Sequence, residues 1–229
     1  MSFLSNIIQA FSHGGFVMWI IFSGQIVSIA IILERVFALY ISRSTNSKKI
    51  AREFEEDIKK GRLEQAISKA QALAKNGNST GKTILAGALA AQNRGGSDEI
   101  QSKMDEVLLS ESSVLEKRTG FLAAIGNIGT LAGLLGTIIG LIDSFAAVAN
   151  VNAMEKAALL SQGISMAMYA TAYGLLVAIP ALVMFAVLQN RANSLSDDMN
   201  QSALMVFNWL TYSYEPMNRK ASRAKEFTL

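Results

Sequence analysis

The sequence predicts an all-α integral membrane protein with three transmembrane helices and a helical cytoplasmic domain. Three observations carry this. First, only 17% of the 229 residues are charged, against about 25% in soluble domains. Second, three stretches contain no Asp, Glu, Lys or Arg: 33 residues from Met1 to Leu33, 24 from Thr119 to Ile142, and 34 from Ala157 to Asn190. Each exceeds the roughly 20 apolar residues that cross a hydrocarbon core about 30 Å thick. Third, the segment between the first two stretches keeps apolar residues at helical spacing.

The elements follow in order. Residues 1–14 form an extracytoplasmic segment, and the first span covers 15–39. That stretch has no basic leader, and its apolar run "GFVMWIIFSGQIVSIAIIL" outlasts the core of a cleaved signal, so a retained span is expected. His13 has no Cys or carboxylate beside it and reads as an interfacial residue, with Trp19 as an interfacial anchor. The cytoplasmic domain spans 40–118. Within it, Ile50, Phe54 and Ile58 mark one helix ending at Gly61. Leu63, Ile67, Ala70 and Leu73 mark a second, ending at Gly77. "KTILAGALAAQN" is a short third helix. A fourth starts on Ser97 as N-cap, with acids in its first turn. It is expected to run unbroken into the second span as one rod. The second span covers 119–150, a periplasmic loop 151–159, the third span 160–190, and a cytoplasmic helix and tail 191–229. Trp209 is expected to pack a cytoplasmic helix.

Charge fixes the orientation. Of 21 Lys and Arg, 15 lie in Arg35–Arg118 and five from Arg191 onward, with only Lys156 between the second and third spans. The positive-inside bias then puts the N-terminus outside and the middle domain and C-terminus in the cytoplasm. The net charge of +3 is explained by that topology. Acids interleave the basic residues, so no stripe for nucleic acid stands out. The chain has no cysteine, hence no disulfide. No catalytic set and no metal-ligand spacing occurs, so no enzyme, cofactor or metal is expected. "GNSTGKT" (Gly77–Thr83) has three residues before its Gly-Lys pair where a phosphate-binding loop needs four, and no strand precedes it. It reads as a helix–helix connector.

The second span poses the question of function. "IGNIGTLAGLLGTIIGLIDSF" holds five glycines, each costing roughly 1 kcal/mol relative to alanine in a soluble helix. Gly126, Gly133 and Gly140 are seven apart, and so are Gly129 and Gly136, whose row Asp143 continues. Together they form one narrow stripe. In lipid, small residues let backbones approach closely, so the stripe is a contact face. Thr130, Thr137 and Ser144 run along its edge. The third span repeats the device with Gly163, Ala167, Ala170, Gly174, Ala178 and Ala181, with Thr171 within that side. Pro180 loosens the helix further in. Leu176, Val183 and Leu188 fall elsewhere, toward lipid or neighbouring subunits. Counted along the helices, Thr137 lies about 20 Å and Thr171 about 17 Å from the outer ends. Asp143, toward the outer end, is the one carboxylate within a span. An ion relay usually needs a titratable group near the middle; if ions cross here, a partner must supply it.

"GLLGTIIGLIDSF" (Gly133–Phe145) followed by "GISMAMYATAYGLLVAIPA" (Gly163–Ala181) resembles the ExbB/TolQ proteins, relatives of the MotA flagellar stators. The opening span with its Glu-Arg end is similar too. The resemblance implies a homopentameric ring around two copies of a single-span partner similar to ExbD, TolR or MotB, which carries the ion-binding aspartate. It implies a stator in the bacterial inner membrane that turns a proton (or sodium) gradient into mechanical work across the envelope. It also assigns Thr137 and Thr171 to the ion path, with Thr130, Ser144 and Tyr173 beside them. Gly126, Gly129, Gly133, Gly136, Gly140, Gly163, Ala167, Gly174, Ala178 and Pro180 would build the pore wall. One departure matters: the family reads Pro-Gly-Ile-Ala-Glu-Ala at the start of the third span, and here Gln162–Ala167 puts Met166 in place of the glutamate. A MotA-like or gliding-type stator using sodium, or a non-conducting scaffold, remains the alternative.

Overall fold

The computed structural model describes residues 15–41, 46–149 and 151–226. Those residues are helical apart from short turns, and no strand occurs among them. His13 and the expected segment 1–14 lie outside them. Eight α-helices follow one another: α1 (Gly15–Val36), α2 (Ser47–Glu53), α3 (Glu55–Lys59), α4 (Leu63–Lys75), α5 (Ser79–Gln92), α6 (Ser97–Glu116), α7 (Thr119–Ala147) and α8 (Ala153–Glu226). A π-helical turn, Phe37–Ile41, follows α1. Three helical stretches are long and apolar enough to cross a membrane, from Phe16, Ser97 and Glu155 onward.

The described residues fall into two compact units: those within 1–42 and 118–189, and those within 43–117 and 190–229. In the second unit, α2 to α6 enclose an apolar core with the far part of α8. Phe54, Ile58, Ile84, Met104, Val206 and Leu210 are buried in it. The short helices form because each has a local start and stop. Asn46 accepts the Lys49 amide and Asn78 the Gly81 amide, which satisfies donors that a first helical turn leaves open. Gly61 and Gly77, the expected stops, take φ of +74° and +77°, where a side chain would be strained. Trp209 packs on this core, with the Lys59 ammonium 5.9 Å from its ring.

Charged side chains close the unit. Asp57 is buried and receives Lys69 at 2.5 Å and Arg62 at 2.7 Å. The hydrogen bond from Lys69 holds its carboxyl below the ordinary range; burial opposes this without reversing it, and the charges of Lys69 and Arg62 add to the lowering. Glu111 of α6 accepts Ser79 at 2.6 Å and Lys82 at 2.7 Å from the start of α5. Within "GNSTGKT", the serine and lysine that could face a phosphate are thus engaged by a carboxylate of the same chain.

Four expectations are corrected. The helix before the second span is not one unbroken rod: it stops at Glu116, Lys117 is extended, and Arg118 is left-handed at φ +66° before α7 begins. The Arg118 guanidinium meets Glu34 of α1 at 3.1 Å, where Glu34 also pairs with Arg35; this ion pair accompanies a backbone state rare for a side-chain-bearing residue. The cap of α6 is Gly96, which places Ser97 inside the first turn. The helix expected through Ile58 breaks at Phe54, whose amide bonds Ala51, three residues back; the tighter turn puts Phe54 at 1% exposure. Leu188 is fully buried rather than facing lipid, whereas Leu176 and Val183 are exposed. In addition, α8 starts at Ala153 and continues without a break through Pro180 and past residue 190.

Candidate functional site

The two small-residue faces meet each other within one chain. Gly126 lies against Leu182, Gly129 against Gly174 and Ala178, Gly133 against Ala170, Thr171 and Gly174, Gly136 against Ala170, and Gly140 against Ala167. Numbers rise on α7 as they fall on α8, so the helices are antiparallel. A Cβ on Gly174 would stand 2.5 Å from the Gly129 carbonyl oxygen, and one on Gly133 would stand 3.1 Å from that of Ala170. At Gly174 only glycine permits so close an approach, and at Gly133 a side chain would be tight. Beyond Gly140, the Ser144 side chain fills the space over Gly163, where any added carbon would overlap it. The stripe expected as a contact face packs against α8 of the same chain.

The first span completes the bundle. Val17, Met18 and Ile21 of α1 pack against Ala170, Tyr173 and Val177 of α8, and Val17 also reaches Gly136 of α7. Trp19, the expected anchor, is exposed and edge-on to Phe22.

The hydroxyls divide into two kinds. Thr130 bonds the Gly126 carbonyl at 3.1 Å, Thr137 that of Leu134 at 2.6 Å, and Ser144 that of Gly140 at 2.5 Å. These stay on their own helix, the usual habit of hydroxyls in apolar surroundings. Thr171 instead crosses to α7 and donates to the Gly133 carbonyl at 3.0 Å. In a continuous α-helix that oxygen also receives the amide four residues on, that of Thr137. The two threonines placed at similar depth by the sequence thus share one backbone oxygen. Thr137 and Thr171 are half-buried, and Ser144 is buried at the helix contact. Tyr173 is buried against α1 and donates to Gln25 at 2.5 Å, a partner the sequence reading missed. Ala167, Ala178 and Gly174 are buried in the contact, while Pro180 is exposed.

Away from this contact, α7 presents Ile128, Leu131, Leu134, Leu135, Ile138 and Ile142, all exposed. Asp143 is exposed toward the end of α7, and Met166 is half-buried. Among the described residues no cluster of His, Cys, Asp or Glu could hold a metal.

Comparison with known proteins fits this arrangement. The Tol-Pal system protein TolQ of Haemophilus influenzae is 27% identical, with 86% of this chain and 89% of that protein covered. A putative biopolymer transport protein ExbB homolog of Methanothermobacter thermautotrophicus is 26% identical over 91% of this chain and 72% of its own length. The biopolymer transport protein exbB1 of Vibrio cholerae is 48% identical over a shorter stretch, 27% of each chain. Several of the curated relatives are matched over only a quarter to a half of their length. The sequence model of the MotA/TolQ/ExbB proton channel family matches residues 76–201, which take in all of α7, the glycine contact and Thr171. With more than half its residues matched by that model, and with the three spans and helical fold described above, the chain belongs to the MotA/TolQ/ExbB proton channel family.

Proposed function

We propose that the chain is the channel-forming stator subunit of an inner-membrane motor. It lies with its N-terminus in the periplasm and its C-terminus in the cytoplasm. Several copies, five by family resemblance, surround two copies of a single-span partner that carries an aspartate. Protons move down their gradient past that aspartate and the polar positions Thr137 and Thr171, with Thr130 and Ser144 along the same edge. Each charge releases about 2.3 kcal/mol per 100 mV, enough over one or two ions to bias a conformational step. The work is done across the cell envelope.

The observation that carries this reading is the shared Gly133 oxygen. A polar track of Thr171 hydroxyl, carbonyl and Thr137 amide sits in a span with no acid at that depth. Family membership favours the proton over sodium. The absence of a mid-span carboxylate explains why a partner is needed.

The test is to purify the tagged chain from its native membrane and weigh the complex by native mass spectrometry. The same complex is then reconstituted in liposomes holding a pH-sensitive dye, under a potassium diffusion potential. A hetero-complex with proton uptake above protein-free liposomes is expected. A homo-oligomer that passes no protons would leave a scaffold instead.

A further inference from the structure

Gln25 is the one amide side chain in α1, set within a run of apolar residues. It is half-buried and accepts the hydroxyl of Tyr173, itself 8% exposed. Tyr173 stands two residues after Thr171, about 200° further round the helix. The two side chains therefore leave α8 on nearly opposite sides. Thr171 goes to the Gly133 carbonyl of α7, and Tyr173 goes to Gln25 of α1. One turn of α8 is thus tied to both neighbouring helices by two hydrogen bonds.

The glycine contact sets how closely α8 approaches α7, and Val17, Met18 and Ile21 of α1 pack around Tyr173. Gly129, Gly133, Gly174, Ala167, Ala170 and Ala178 offer close approach without interlocking side chains. A directional hydrogen bond adds to that packing a constraint on rotation about the helix axis. Thr171 also has an alternative: rotated away from α7, it would bond its own helix four residues back, as Thr130 and Ser144 do.

We propose that Gln25 and Tyr173 are a positioning pair for the ion path. Their bond holds α8 at the rotation that delivers the Thr171 hydroxyl to the Gly133 carbonyl. Neither side chain carries the ion; both act through Thr171. The proposal rests on the channel reading above.

The test uses the full complex in liposomes, with proton flux expressed per assembled complex. Tyr173→Phe and Gln25→Met each lower flux by about fivefold or more, the scale of an energetic coupling between packed sites. The double variant is no worse than the more affected single variant, since both break one bond. In a Thr171→Val background, Tyr173→Phe lowers flux no further, because the group it positions is gone. A pair that merely stabilised the bundle would change the assembled fraction and leave flux per complex intact. Wild-type flux in Tyr173→Phe overturns the proposal, as does a full further loss when it is added to Thr171→Val. Wild-type complex passing no protons would overturn the channel reading itself, and this proposal with it.

Discussion

Gly174 and Gly129 lie so close that a Cβ on the first would press to 2.5 Å from the carbonyl oxygen of the second. The obstacle is backbone, which cannot swing aside as a side chain can.

Gly174→Val is therefore expected to separate α7 from α8. The cost should reach about 3 kcal/mol or more, at or above the top of the range for overpacked cores. Thermal unfolding in detergent, followed by circular dichroism, reads it. Gly120→Ala is the control: no atom lies within 4 Å of its Cβ position, so it should be neutral or stabilising by up to about 1 kcal/mol. Equal midpoints for the two variants would refute the close-contact account.

Thr137→Val and Thr171→Val should differ in stability and agree in function. Thr137 gives up a bond within its own helix. Thr171 gives up a bond between helices, worth about 0.6 kcal/mol on average in membranes. Only Thr171→Val should lower the unfolding midpoint. Both should cut proton flux by about tenfold, equivalent to some 1.4 kcal/mol in the barrier. Normal flux in both variants would count against the threonine track.

Asp57 makes the cytoplasmic unit sensitive to acid. Its folded-state carboxyl is held below the ordinary range, chiefly by the bond from Lys69. A depressed carboxylate contributes stability that is present above its unfolded value and lost as pH falls through the folded one. With an unfolded value of about 3.9, the contribution should be constant above about pH 5 and fade below pH 4. Asp57→Asn should abolish that part of the acid sensitivity and cost about 1.5–3 kcal/mol at neutral pH, in line with hydrogen bonds to charged groups. Unfolding midpoints measured from pH 3 to 7 for both proteins provide the check.

Glu111→Ala should leave Ser79 and Lys82 without the carboxylate that now receives them. A loss of about 1–3 kcal/mol is expected, seen as a lower midpoint for the cytoplasmic unit. Magnesium and ATP should stabilise neither wild type nor variant. A nucleotide-dependent rise in the variant would revive the phosphate-loop reading of Gly77–Thr83.

The spans and the helical class were legible because charge and length decide them. Each charge-free stretch overlaps one of three helical stretches long and apolar enough to cross a membrane. The stops at Gly61 and Gly77 were legible because glycine alone enters their backbone region without strain. The break at Lys117–Arg118 was not: neither residue is a helix breaker, and the Glu34 pair that meets Arg118 comes from 84 positions away. The glycine stripe announced a contact face but not its partner, because spacing along one helix says nothing of which chain supplies the other. Gln25 was passed over for a similar reason. A lone amide in an apolar run has no visible purpose until Tyr173, remote in sequence, is placed beside it.

The Gly129–Gly174 contact bears on biogenesis. A chain that joins its small-residue faces internally can complete this fold soon after it leaves the insertion machinery, while still at low surface density. The outer flank of that hairpin stays apolar, with Leu131 and Ile138 among its members. Defects in the contact should thus surface as early turnover of newly made polypeptide.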